Sequence, residues 1–398
     1  MFREAVLNVV WSAEFFHLTT EGTLMRWKLH ALVTALAAAI LVAMPAAAQV
    51  QSVETEAGTV SVSTMASGLV HPWGMTFLPD GRLLVTERPG RLRLLGPGNT
   101  LSEPLAGTPE VFDRGQGGLL DVALDSDFTS NRFVYLSFAE PSEGGASTAV
   151  GRGRLEDNRI AGFEVLFRQR PKVPGPNHFG GRIVFAPEGD LFLTTGERFK
   201  FDPAQDLSNH LGTIIRVNAD GSVPGGNPFV NRTNAADEIW TYGHRNIEAA
   251  AIQPDTGALW IAEMGPRGGD ELNLIEAGRN YGWPVVSWGQ HYDGRDIPDP
   301  PAHPQFADAH KHWTPVISPS GMVFYTGNMF PDWRGSALIG GLTARGIVRV
   351  TFDGLEVTGE ERIPLGARIR EVEQAPDGSV YVLTDQDDGD IWRLSTPE

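Results

Sequence analysis

The sequence predicts an all-β chain folded as a six-bladed β-propeller of four-stranded antiparallel blades. Three observations carry this. The apolar runs are short and none grows into a long amphipathic helix. Gly (46) and Pro (28) interrupt them throughout. One strand–turn–strand pattern recurs along the chain, and short alternating runs bounded by turn residues are strand grammar.

The pattern is clearest at residues 74–87, 182–196, 250–263 and 372–385, each broken by a Pro-Asp-Gly type turn such as Pro79-Asp80-Gly81 or Pro376-Asp377-Gly378. Proline presets φ in such a turn and glycine supplies the positive φ that closes it. Weaker copies occupy residues 120–138 and 322–340. A lone hairpin cannot bury its apolar face, so the copies must stack. Their spacing, roughly 45 to 75 residues, suits four-strand blades with variable loops rather than a solenoid. Residues 49–398 are read as this single domain.

The N-terminus predicts export. Met25-Arg26-Trp27-Lys28 is a basic start, Leu29 to Met44 is apolar, and Ala46-Ala47-Ala48 offers a small-residue cleavage site. Residues 25–48 thus read as a signal peptide and residues 1–24 as an over-long start. The apolar run is shorter than the ~20 residues of a membrane span, so no stable span is expected in the mature chain. The location implied is periplasmic or secreted.

Of 398 residues, 41% are hydrophobic, enough for a large core. A net charge of −17 argues against nucleic acid as a partner. With no cysteine, disulfides, thiolate metal sites and thiol nucleophiles are excluded. There is no His-Glu-x-x-His, Gly-x-Ser-x-Gly, P-loop or dinucleotide fingerprint.

Chemistry must therefore come from the loops between blades. Five are rich in special residues: Gly115-Gln116-Gly117-Gly118, Asn177-His178-Phe179-Gly180-Gly181-Arg182, Tyr242-Gly243-His244-Arg245-Asn246, residues 263–273 continuing to Asn280-Tyr281-Gly282-Trp283, and Arg368-Ile369-Arg370. Each lies beside a core strand of its blade, so in a ring they converge on one face of the channel. His178 reads either as a structural histidine or as a general base whose flanking glycines let backbone approach a planar ligand. Glu197, at the far end of the same hairpin, is placed to bond its other ring nitrogen. Arg245 and Asn246 offer donors to a developing oxyanion, or simply tie blades together. Gly265-Pro266 with Asp270 and Glu271 reads as a hard-cation site or as an acidic turn. The 385–390 acidic run and His310-Lys311-His312 are weaker metal signals.

In family order on successive blades, Gly-Gln-Gly-Gly-Leu-Leu, Asn-His-Phe-Gly-Gly-Arg, Gly-His-Arg-Asn and Gly-Pro-Arg-Gly-Gly-Asp-Glu resemble the soluble pyrroloquinoline quinone (PQQ) sugar dehydrogenases, above all their aldose branch. The resemblance covers nearly the whole mature chain and implies the six-bladed fold. It implies catalytic roles for His178, Glu197 and Arg245. Cofactor contacts are implied for Gln116, His178, Arg245, Asn246, Tyr292, Trp313, Leu342, Thr343, Arg368 and Arg370, and a calcium ion at Gly265, Pro266, Glu271 and Tyr281, the last through its backbone carbonyl. Guanidinium groups suit the three carboxylates of PQQ. The chain departs from the family at Lys200, His312 and Thr343, with Arg345 a replacement charge, and its Arg198-Phe199-Lys200-Phe201 segment is unusual.

The activity so implied is oxidation of the C1 hydroxyl of an aldose to a lactone by hydride transfer to PQQ, with calcium as Lewis acid and an external quinone or small redox carrier taking the electrons. Two alternatives share the fold: a calcium-dependent propeller lactonase and a non-enzymatic binding propeller.

Overall fold

The protein is described by a computed structural model over residues 50–397, so the leader and start-site expectations lie outside the described residues. Six antiparallel sheets follow one another along the chain. The first has strands Pro72–Phe77, Leu83–Glu87 and Arg91–Leu95. The second runs from Leu119–Leu124 through Phe133–Ser142 and Gly145–Glu156 to Arg159–Arg168. The third holds Gly180–Phe185, Leu191–Thr195, Thr213–Val217 and Ile239–Tyr242. The fourth holds Ile247–Ile252, Leu259–Glu263, Asp270–Leu274 and Lys311–Trp313. The fifth holds Pro319–Phe324, Ala337–Gly341, Gly346–Asp353 and Glu356–Pro364.

The sixth sheet departs from the expected four strands. Its inner strands, Ile369–Gln374, Val380–Thr384 and Gly389–Ser395, are completed by Gly58–Leu69, and Val50–Thr55 adds a fifth. The start of the described chain thus closes the ring at its end, with Ser61 opposite Ser395 and Leu69 opposite Gly389. The first blade has three strands, and only a Leu95–Leu101 bridge marks a fourth. The inner strands touch in chain order, and the sixth touches the first.

Each repeated hairpin seen in sequence is the inner pair of a blade. Their turns place Gly81, Gly189, Gly257 and Gly378 at φ between 71° and 94°, and Gly81 and Gly378 each donate back to a carbonyl at 2.9 Å. Every inner strand buries its first four residues and leaves at least one of its last two partly open. The channel is therefore packed at one end and wider at the other. Apolar side chains fill the space between neighbouring blades: Trp260, Leu272 and Trp313 of the fourth pack with Ile339 and Val348 of the fifth. Each fully buried aliphatic side chain contributes about 1.5–3 kcal/mol. No helix among the described residues is long and apolar enough to cross a membrane.

Candidate active site

The packed end of the channel is where the special loops meet. His178 precedes the first strand of the third blade and Glu197 follows its second strand. Antiparallel pairing brings these two ends together, and His178 Nδ1 lies 2.5 Å from Glu197 Oε1. The fit depends on glycine: a Cβ on Gly196 would sit 2.1 Å from the His178 carbonyl oxygen. His178 has φ of 55°, a conformation a non-glycine residue holds only when its surroundings fix it. Gln116 provides part of this, its Oε1 accepting the His178 backbone N–H at 2.6 Å.

Glu197 is fully buried. Burial pushes its carboxyl up, but the His178 bond and the N–H groups of Phe201 (2.7 Å) and Lys200 outweigh this, so it stays below the ordinary glutamate value. It therefore remains an anion that holds a proton on Nδ1, leaving Nε2 with its lone pair free. His178 itself is held below the ordinary imidazole value, first by burial and then by the Arg245 guanidinium. Both effects keep the imidazole neutral, as a base must be.

Arg245 is fixed from three sides. Its N–H donates to Glu263 Oε2 (2.7 Å), its Nη1 to the carbonyls of Met264 (2.9 Å) and Gly265 (2.8 Å), and its Nη2 to Tyr292 Oη (3.2 Å). Its Nε is buried with no partner among the described residues. Asn246 accepts from the Gly180 N–H and donates to Glu248, both at 3.0 Å.

Arg370 is differently placed. It is buried and paired with Glu248, and with Asp385 at 2.8 Å. Asp385 also accepts from Arg368 (2.9 Å) and meets His71 Nδ1 (2.9 Å). Burial raises the Asp385 carboxyl, but Arg370, His71 and Arg368 together hold it well below its ordinary value. Arg368 is about half exposed, so it can still face a ligand. Below, Arg182 stacks on Trp73 at 4.0 Å and pairs with Glu371, plugging the channel axis.

Leu342 is buried, and Thr343 bonds the Val316 carbonyl (3.0 Å) and Ser318. Trp313 stands apart. Its ring lies in the core between the fourth and fifth blades, with Nε1 on Glu360 at 2.8 Å. His310 and His312 are separated as well, one against Trp260 and the other flat on Trp288.

Glu271 and Glu263 line a cavity of about 10 Å³ with Gly265, Gly269, Tyr281 and Ser287, room for about one water or ion. Burial and the neighbouring Glu263 charge push Glu271 up to about 8. Asp270 shapes the adjoining loop by accepting from Gly265 (2.8 Å), Ile317 (2.8 Å) and Ser318 (2.6 Å). Three residues here carried no signal when taken singly: His244, Glu248 and Glu263. One signal was present. His178–Glu197 and His244–Glu263 are each pairs 19 residues apart.

The glucose/sorbosone dehydrogenase family model matches residues 69–393. The chain belongs to the glucose/sorbosone dehydrogenase family. A solved apo structure of the soluble aldose sugar dehydrogenase of Escherichia coli is 42% identical, with TM-score 0.81, covering 85% of this chain and 100% of that one. A PQQ-bound aldose sugar dehydrogenase of Streptomyces coelicolor is 29% identical, with TM-score 0.70, covering 89% and 99%. Quinoprotein glucose dehydrogenase B of Acinetobacter calcoaceticus is 26% identical over 417 residues, covering 82% and 86%.

The Streptomyces coelicolor relative holds PQQ. The donor set fits a carboxylate-bearing quinone. Arg245 has an unpartnered Nε, Arg368 is partly exposed, and Gln116, whose amide oxygen is taken by His178, has its amide nitrogen to offer. The Glu263–Glu271 cavity offers a hard cation two carboxylates and neighbouring loop oxygens, although Arg245 also lines it and Glu263 is already bonded to His244. Among the described residues no three His, Cys, Asp or Glu side chains gather as a metal site. The remaining ligands must be carbonyl and hydroxyl oxygens, which calcium accepts.

Proposed function

We propose that the protein oxidises the C1 hydroxyl of aldose sugars to lactones, with PQQ as hydride acceptor and calcium as Lewis acid. The observation that carries this reading is the buried His178–Glu197 pair beside Arg245, in a chain of this family. PQQ when bound supplies the electrophilic quinone carbon, and the cation polarises its carbonyl.

The protein's own part follows from the geometry. Glu197 holds Nδ1–H, so Nε2 takes the proton from the sugar hydroxyl, and the anionic carboxylate stabilises the imidazolium that forms. Arg245, already anchored by three carbonyl or hydroxyl oxygens, offers its fixed positive charge to the developing oxyanion without reorganising. Gln116, Asn246, Tyr292 and Arg368 hold the cofactor, and Gly265, Pro266, Glu271 and Tyr281 the calcium. Arg370, with Glu248 and Asp385, supports the floor beneath it. In the same reading Leu342 and Thr343 contact the cofactor. An external quinone or small redox carrier removes the electrons, and an exported location suits such a partner.

Reconstitution tests the reading. Purified protein is given PQQ and calcium, and dye reduction is followed with a panel of aldoses. Stoichiometric PQQ uptake with sugar-dependent, calcium-dependent turnover is the expected result. Hydrolysis of lactones with no PQQ uptake would instead assign the site to a hydrolase.

A further inference from the structure

The seam where the ring closes carries a side-chain clasp that the proposed reaction does not explain. His71 stands between the closing strand Gly58–Leu69 and the first inner strand Pro72–Phe77. Asp385 and Asp387 lie in the turn between Val380–Thr384 and Gly389–Ser395 of the sixth blade. The imidazole spans the gap: its Nδ1 is 2.9 Å from Asp385 Oδ1 and its Nε2 is 2.8 Å from Asp387 Oδ1. An ionised carboxylate only accepts, and a neutral imidazole carries a single N–H, so the two bonds form together only with the protonated ring. The main chain fixes the place as well. His71 has φ of 45°, which a non-glycine residue seldom adopts unless its surroundings impose it. Its N–H donates to the Gln386 carbonyl at 2.9 Å, and its own carbonyl accepts the Arg88 N–H at 3.1 Å.

What the clasp does follows from how Asp385 divides its two oxygens. Oδ1 goes to His71. Oδ2 alone receives both arginines, Arg368 Nη2 at 2.9 Å and Arg370 Nη2 at 2.8 Å. A guanidinium beside a free carboxylate tends to take both oxygens in a two-pronged bond. With Oδ1 occupied, neither arginine can close that fork. Arg370 is held in any case, because its Nη1 is on Glu248. Arg368 is not: among the described residues its side chain is held through Nη2 alone, and it is about half exposed. The occupied oxygen therefore leaves the other donors of Arg368 turned outward.

We infer that His71 is a positioning residue: by occupying one oxygen of Asp385 it keeps Arg368 from closing on that carboxylate, and so presents the guanidinium to a carboxylate of the bound cofactor. The inference rests on the PQQ reading above. His71 touches neither the cofactor nor the sugar; it acts through Asp385 and Arg368. A clasp that served closure alone could end at Asp387 and the Gln386 carbonyl. This one also takes the single carboxylate that two arginines share. Because the same ring joins the first blade to the sixth, closure of the seam and binding of the cofactor favour each other.

The test is a double-mutant cycle on PQQ binding, read by calorimetric titration of the cofactor-free protein with PQQ in the presence of calcium, so that no turnover is needed. His71→Ala and Arg368→Gln should each weaken PQQ by about tenfold. The double variant should bind PQQ little worse than Arg368→Gln alone, because His71 acts through that guanidinium, whereas a merely structural role would give losses that multiply. His71→Gln, whose amide can still donate to Asp385 Oδ1, should recover most of the affinity. Asp387→Asn releases the ring from its outer partner at an almost fully exposed position, and it should cost about threefold beside Arg368 and nothing in Arg368→Gln. It supplies the same cycle if His71→Ala fails to fold. Losses that multiply in the double variants, or PQQ affinity unchanged in both His71→Ala and Asp387→Asn, overturn the inference and leave the PQQ reading standing. Unsubstituted protein that takes up no PQQ removes the cofactor reading, and this role of His71 with it.

Discussion

The third and fourth blades carry the same device in two states. In each, a histidine before the inner strand meets a glutamate at the end of the second strand 19 residues on, through Nδ1, at 2.5 Å for His178–Glu197 and 2.9 Å for His244–Glu263. What differs is the other ring nitrogen. His244 Nε2 is taken by Thr241 Oγ1 at 3.0 Å, and the ring lies flat against Tyr281 at 4.6 Å. His178 Nε2 has no such partner among the described residues, and Phe199 meets the ring edge-to-face rather than flat. A repeated scaffold thus yields a structural histidine where both nitrogens are bonded and, in the function proposed above, a base where one is left free. The fourth-blade pair also serves the third, because Glu263 holds the Arg245 N–H with its second oxygen.

The sharpest way to break this comparison is to remove each histidine in turn. His178→Ala should lower kcat by about a hundred- to ten-thousand-fold, as for loss of a general base, with PQQ still bound and the melting temperature nearly unchanged. Unaltered turnover would end the distinction between the two blades. His244→Ala should do the reverse. It should cost about 2 kcal/mol of stability, read by denaturant melts, and leave most of the turnover of the folded protein. The third test concerns Arg245, whose charge helps hold His178 down. In Arg245→Gln the imidazole should titrate at higher pH, followed by NMR of the ring protons without any turnover. The acid limb of residual activity should move up with it.

The smallest effect is expected where acids have no histidine partner. At the wide end of the channel Asp121, Glu371 and Glu373 face a cavity of about 260 Å³ together with Arg182. Burial, offset only in part by Arg182 and reinforced by Asp121, pushes Glu371 up to about 7. Burial and both neighbouring carboxylates push Glu373 well above its ordinary value. These groups bind protons more tightly folded than unfolded. Their contribution is therefore complete below the ordinary glutamate value and is lost as pH rises through about 7. Glu373→Gln should recover on the order of 1 kcal/mol at pH 8 and little at pH 4, measured by thermal melts across that range.

How much of this was legible depended on how far apart the partners lie. The hairpins were readable because each turn announces itself locally in Pro-Asp-Gly, and six repeats imply a ring. The His178–Glu197 contact was readable for the same reason, since one hairpin joins them. Closure of the ring was not. Gly58–Leu69 reads like any other strand, and nothing local says that it pairs with residues at the far end of the chain. Nor was the setting of Arg370, whose partner Glu248 is 122 positions away. Trp313 shows a third limit. Alternation along a strand leaves open which face an aromatic takes, and packing against Ile339 and Val348 decided it.

The closing strand has a consequence for how such a molecule is made. Gly58–Leu69 leaves the ribosome before any blade exists, but its partner Gly389–Ser395 is among the last segments to emerge. Until then Gly58–Leu69 has one edge without its partner, the condition in which chains pair with the wrong neighbour. A chain cut short within Gly389–Ser395 would leave Gly58–Leu69 without its partner, and a protease would find an unpaired strand there.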